Sequence, residues 1–328
     1  VDMIYDTLPV DLIRATYLVE SAFDPTIPDG YLNQYIKQAA KHVTNKIHQE
    51  GLNSSDNQVK NMMIFRYMTD TLAVDYSGFE KPVVSYPKTY DFDDFWGQRD
   101  WSKMFVSKLI RDGSGQCHSL PLLYLMIAQE IGADANLAFA PNHSYIKFKD
   151  ARGHWQSLEL TVGGVSSDHF ILQSGFVKSE AVRNKIYLEP INERQLIAQS
   201  INDLVSGYIR KYGYDDHKFI HTAFKTVYDV FPNSITAHQI NANYYTAQVR
   251  YVAAQYQQRG LSKAQFDQDE KAQFLIGQMN GAFKHIDNLG FAAMPENAYA
   301  SWLASIEELA QKQYSTVKME DINNQIKQ

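Results

Sequence analysis

Residues 120–128, LPLLYLMIA, are apolar on nearly every side of a helix. A surface helix keeps a polar face, so this one must run through the centre of a domain with other elements wrapped around it. Its limits are marked. Pro121 lacks a backbone N–H and is tolerated only in a helix's first turn, so the helix begins close to residues 117–120. Gly132 is the expected C-cap. The chain has 328 residues, enough for two or three compact units.

Around that segment the hydrophobic period divides the chain into three zones. Residues 1–95 read as helical: DLIRATYLVESAF, YLNQYIKQAAKHVTNKI and VKNMMIFRYMTDTLAV place apolar residues three and four apart. The stretch YSGFEKPVVSYPKTYDFDDF, with two prolines, breaks the pattern and is expected to be a long surface segment. In the middle zone, 96–190, the period changes: Ile146 and Phe148 alternate with Lys147 and Lys149, Asp150 to Gly153 supply turn chemistry, and a second run spans His154 to Leu160. That pattern predicts a β-hairpin preceded by another strand. From 191 to 328 the helical period returns. Two pieces there, beginning at Ala223 and Ala282, each run helix, proline turn, helix, and are expected to form either a degenerate tetratricopeptide-type array or a plain helical bundle.

Cys117, just ahead of the apolar segment, is the only cysteine. A lone cysteine beside LLYLMI can simply fill space. Its neighbours point elsewhere. A helix starting at 117–120 puts the thiol where unpaired N–H groups and the positive end of the helix dipole favour a thiolate. Gly113 and Gly115 flank Ser114, allowing a sharp turn that presents the thiol and frees backbone N–H groups for an oxyanion. A nucleophilic thiol needs a base, and the base an orienting group. His143 opens the strand HSYIKFK, and Glu159 lies near the end of the opposing strand. If Lys149 faces His154, Glu159 pairs with Ser144 and points away from His143. If Phe148 faces His154, His143 and Glu159 stand directly opposite, with Cβ atoms about 5 Å apart. A slip of one residue reverses the faces, and alternation alone does not choose.

This order of a cysteine at a helix N-terminus, a histidine strand PNHSYIKF and an acid sixteen residues further on resembles the transglutaminase-like superfamily. The family carries a Cys-His-Asp triad on a papain-type core, its acid often in a strand ending in a motif like Asp-Pro-Thr. The matching segment here reads Leu158-Glu159-Leu160-Thr161, with a longer acid in place of aspartate. The resemblance covers about residues 96–165 and implies an α+β fold: a papain/transglutaminase-like core, its buried cysteine helix packed on a small antiparallel sheet, between N-terminal (1–95) and C-terminal (191–328) helical regions. It implies that Cys117 attacks an amide or ester carbonyl of a peptide or protein substrate, that His143 moves the proton, and that Glu159 holds the imidazole. The Cys117 N–H is the first oxyanion donor. Gln116 and Asn142, beside the nucleophile and the base, are candidate supporting residues, and Gln98, Trp96 or Trp101 could each supply the second donor. The alternative is a protein with such a core but no catalysis, binding a protein partner through its C-terminal helices. A wholly helical repeat adaptor requires residues 135–160 not to be strands.

Other classes are disfavoured. With 37 acidic against 31 basic residues, a net charge of -6 and no run of Lys or Arg, nucleic acid is not an expected partner. One cysteine excludes an internal disulfide and a thiolate-based zinc site. No stretch of 18 apolar residues is present, so no membrane span is expected, and nothing calls for a metal or cofactor. The chain begins Val1-Asp2 rather than with Met, so an exported form freed of a signal segment and a shortened cytoplasmic form are equally compatible with it. His118 follows Cys117 directly, but successive helical side chains diverge by about 100°, so it reads as a neighbour and not as the base. His217 and His221 share a helix face at a zinc-compatible spacing. With no glutamate after His217 and no third ligand they read as a solvated face. Asp168, followed by His169, is a weaker candidate for the acid than Glu159.

Overall fold

The computed structural model describes residues 1–172, 176–295, 297–302 and 304–305, and it is an α+β chain of two compact units. The mixed unit comprises Asp11–Phe176, Leu188–Glu193 and the chain from Ala293 on; the helical unit comprises Val1–Val10, Val177–Tyr187 and Arg194–Ala292. These units cut across the three zones of the sequence pattern. The stretch after Ala293 joins the cysteine-bearing unit.

The mixed unit opens with three helices, α1 (Leu12–Phe23), α2 (Tyr31–Gln49) and α3 (Asn57–Thr69). Asp11 caps α1 by accepting from the Arg14 N–H, and Asp56 caps α3 by accepting from Gln58 and Val59. The helical pattern expected through Val74 stops earlier. Leu72–Val74 is strand β1, paired antiparallel with β2 (Val83–Ser85). Within the supposed surface segment a further short strand, β3 (Thr89–Tyr90), runs parallel to β4 (Ser114–Gly115), which follows α4 (Val106–Asp112).

Helix α5 (Ser119–Ile131) is the centre of the unit, and Ser119 through Ala128 are all buried. It packs on α1 to α4 and on the β-sheet, as an all-round apolar segment must. Each large aliphatic residue so buried contributes about 2 kcal/mol. The buried Tyr124 hydroxyl donates to Asn61 of α3, so no polar atom of that ring is stranded. Pro121 sits in the first turn and Gly132, at φ 65°, forms the left-handed C-cap.

The sheet is a four-stranded antiparallel meander of β5 (Asn136–Ala140), β6 (His143–Lys149), β7 (Trp155–Glu159) and β8 (Gly164–Ser166). These strands exclude the wholly helical repeat. Ala140 faces His143 across the tight Pro141-Asn142 turn, where Asn142 adopts φ 57°. The register of β6 on β7 is neither of the two expected: Lys149 faces Trp155 and Ile146 faces Leu158, so the loop holds five residues, Asp150 to His154. Continuing that register puts Glu159 opposite Tyr145. His143 is two residues from Tyr145 and therefore on the same face as Glu159, on the diagonal. Helix α6 (Asp168–Leu172) follows. Asp168 is bound by Lys147, whose Nζ lies 2.9 Å from both its carboxylate oxygens, so it does not serve His143.

The helical unit contains α7 (Ser179–Arg183), α8 (Glu193–Tyr212), α9 (His217–Val230), α10 (Ile235–Gln258), α11 (Lys263–Gln268) and α12 (Glu270–Leu289). Val205, Ile220, Ala223, Phe224 and Tyr244 form a core cluster. His217 and His221 are exposed and share one partner, the Tyr244 hydroxyl, at 2.7 and 3.3 Å. The first proline-turn piece is realised as α9 and α10. The second is not a repeat partner in the same unit: after α12 the chain from Ala293 belongs to the mixed unit, and residues 296, 303 and 306–309 of that piece lie outside the described residues. No described helix is long and apolar enough to cross a membrane.

Candidate active site

Cys117 lies two residues ahead of α5, with His118 at the N-cap position. Four local constraints hold it there. The Gln116 N–H donates to Ser119 Oγ at 3.0 Å, and the Leu120 N–H bonds to the Gln116 carbonyl, which starts the helical turn. The Ser144 hydroxyl of β6 donates to the Cys117 carbonyl. Gly115 is required sterically, because a Cβ there would stand 2.6 Å from Ser119 Oγ. Upstream, Gly113, at φ 72°, ends α4 in the left-handed conformation.

The sheet supplies the other two groups. Glu159 Oε2 lies 2.6 Å from His143 Nε2, and Glu159 Oε1 accepts from the Thr161 N–H at 2.9 Å. Both side chains are buried. The opposite nitrogen, Nδ1, is 3.4 Å from the Tyr299 hydroxyl, and the imidazole is near enough to the Cys117 thiol to act on its ionisation. The thiol is 3.8 Å from the Asn142 carbonyl and 3.5 Å from the Tyr299 hydroxyl. Cys117 itself remains half-buried.

Electrostatics follow from this arrangement. Burial works against charging each group, but the mutual contacts outweigh it. The Cys117 thiol is held below the ordinary thiol range, despite burial, by the hydrogen bond and charge of His143, with the Tyr299 hydroxyl and His118 assisting. His143 is pushed up to about 10, burial notwithstanding, by the Glu159 charge and the Cys117 contact. Glu159 is lowered against burial by His143 and by Thr161. These contacts act toward a thiolate beside an imidazolium, itself beside a carboxylate.

The other sequence candidates fall out differently. Gln116 is fully buried, and neither atom of its side-chain amide has a hydrogen-bond partner among the described residues. Asn142 contributes its carbonyl to the thiol, while its side-chain amide donates to the Met294 carbonyl at 2.8 Å. Gln98 is exposed, its N–H bound to Asp94, and Trp101 packs against Gly97 in a short 3₁₀ turn. Of the three expected donors only Trp96 joins the aromatic cluster at the site, its ring 5.6 Å from that of Tyr299.

Three residues of this site were not singled out by sequence reasoning: Tyr90, Tyr299 and Trp302. The β3–β4 pairing fixes Tyr90 beside Gly115, and its hydroxyl lies 3.4 Å from that of Tyr299. Residues 297–302 are helical and set Tyr299 and Trp302 against His143, with the Trp302 ring 5.0 Å from the imidazole, edge on. No local pattern marks these aromatics, which in a helical context read as core. Among the described residues no group of three or more His, Cys, Asp or Glu side chains is placed to hold a metal ion.

In comparisons with known proteins, no family model, no curated protein and no solved structure matches this chain.

Proposed function

We propose that this protein is a transglutaminase-like cysteine enzyme that takes the acyl group from an amide and passes it to water or an amine. The reading rests above all on one observation: His143 is gripped through Nε2 by Glu159, at 2.6 Å, while its Nδ1 lies 3.4 Å from the Tyr299 hydroxyl, itself 3.5 Å from Cys117 Sγ. A buried acid behind a base, and the base beside a nucleophile, is the arrangement acyl transfer requires.

The chemistry follows in order. The Cys117 thiolate attacks the carbonyl carbon, and the carbonyl π pair moves onto oxygen. The tetrahedral adduct collapses, re-forming the carbonyl and breaking the C–N bond, while His143 Nδ1 gives its proton to the departing amine. The resulting thioester is attacked by water or a second amine, whose proton His143 accepts, and collapse of this second adduct re-forms the carbonyl and breaks the C–S bond, returning Cys117 as the thiolate. Glu159 carries no proton in any step. It fixes the ring and balances the imidazolium charge.

Alkylation by iodoacetamide tests the reading. A free thiol of ordinary value 9.0 is about 1% thiolate at pH 7, and the His143 and Tyr299 contacts that lower the Cys117 thiol against burial raise that fraction. Cys117 in the folded chain should therefore react at pH 6–7 about tenfold faster than free cysteine, the gain being tempered by the lower nucleophilicity of an acidic thiolate. His143→Ala should abolish the advantage. Labelling that requires denaturation would overturn the proposal.

A further inference from the structure

The Tyr299 hydroxyl stands 3.5 Å from Cys117 Sγ, 3.4 Å from His143 Nδ1 and 3.4 Å from the Tyr90 hydroxyl. The residue is 1% exposed, its ring packed against Phe95, Trp96 and Trp302 at centroid distances of 5.5, 5.6 and 6.0 Å. Burial and the neighbouring Cys117 charge keep its phenol protonated far above the ordinary range. It therefore has one proton to donate. In the thiolate–imidazolium state Nδ1 carries a proton of its own and cannot accept, so two acceptors remain within reach, Cys117 Sγ and the Tyr90 oxygen. Sulfur bears the charge and is the stronger acceptor, and Tyr90 can then donate to the Tyr299 oxygen.

This arrangement has a consequence once a carbonyl arrives. When Sγ bonds to the carbonyl carbon, sulfur loses its negative charge and the carbonyl oxygen gains it, two bonds away from sulfur. A donor held beside sulfur is then beside the new oxyanion, with no reorganisation beyond rotation of a hydroxyl. We propose that Tyr299 is a catalytic residue whose O–H, aligned by Tyr90, follows the charge from Cys117 Sγ to the oxygen of the tetrahedral adduct. Tyr299 keeps its proton throughout. On collapse the oxygen pair re-forms the C=O bond, and the leaving group departs with the electrons of its bond to carbon. The hydroxyl thus takes the place expected of Gln98, Trp96 or Trp101. The inference rests on the acyl-transfer reading above.

Two reactions of the full chain separate this role from simple packing. Acetylation by p-nitrophenyl acetate passes through an oxyanion, and iodoacetamide alkylation does not. In wild-type protein a burst of p-nitrophenolate should match acetyl-Cys117 counted by mass spectrometry. Tyr299→Phe should slow that burst by about 10²- to 10³-fold while alkylation stays within about threefold of wild type. Tyr90→Phe should slow the burst less, since it removes only the alignment. An unchanged burst in Tyr299→Phe, or a parallel fall in both reactions, overturns the inference. If acetylation requires His143 but not the Tyr299 hydroxyl, the triad stands and this inference alone fails. If wild-type Cys117 is not acetylated and His143→Ala leaves alkylation unchanged, the triad reading fails with it.

Discussion

Glu159 reaches His143 along a diagonal of the sheet. Residues facing each other directly bring Cβ atoms to about 5 Å, whereas diagonal neighbours stand about 7–8 Å apart. The extra methylene of glutamate, about 1.5 Å, suits the longer span. A glutamate at 159 is thus matched to the register that puts Lys149 opposite Trp155. Glu159→Asp should therefore be nearly as damaging as Glu159→Gln, each lowering the acetylation rate by about 10²-fold or more. Both should also change the pH profile of Cys117 alkylation. His143 is pushed up to about 10 against burial, chiefly by the Glu159 charge, so losing that contact lets burial pull the imidazole down toward or below its ordinary 6.5. The upper limit of the ion-pair window then moves to lower pH. An aspartate variant with the wild-type profile would refute the argument from reach.

Helix α4 precedes the cysteine turn, and its N-terminus is held by a distant acid. Glu20 of α1 is buried and accepts the Val106 and Ser107 N–H groups at 2.6 and 3.0 Å. Burial dominates over these bonds and raises its pKa from 4.5 to about 7. Between those values the folded chain binds more protons than the unfolded one, so this group's contribution is fully present below 4.5 and is lost as pH rises through 7. The loss amounts to about 3 kcal/mol. The difference in unfolding free energy between wild type and Glu20→Gln should change by that amount between pH 4 and pH 8, in the direction that favours the variant at high pH. Denaturant melts at the two pH values measure it, and a pH-independent difference would contradict the assignment. Such an anchor is invisible in sequence, and the same holds for half of the site. The cysteine helix was legible because Pro121, Gly132 and an unbroken apolar run are local signals. The strand bearing His143 was legible by alternation and turn chemistry. The register was not, because Asp150 to His154 accommodate more than one loop length with the same composition. Strands β3 and β4 have two residues each, too few to show a period, so Tyr90 was hidden in what read as a surface segment. Tyr299 lies 209 residues from Tyr90, and nothing within its own helix tells a site aromatic from a core one.

At the scale of the whole chain, the mixed unit is discontinuous: it is completed only when the polypeptide returns from the helical unit at Ala293. Met294, Tyr299 and Trp302, which close the aromatic cluster at Cys117 and His143, all follow that return. While residues 194–292 are folded, the two ends of that stretch are held by structure. If they unfold, about 100 residues become a flexible loop, and docking the final segment then carries a closure entropy on the order of 4 kcal/mol. The candidate site should therefore depend on the stability of a unit that supplies none of its described side chains. Phe224 in the helical core is 4% exposed, and Phe224→Ala should cost that unit about 3–5 kcal/mol. The temperature at which the p-nitrophenolate burst disappears should fall along with the loss of helical circular dichroism, although Phe224 belongs to the other unit. A variant whose helices melt early while the burst persists to the wild-type temperature would show that the final segment stays docked without help from the chain that delivers it.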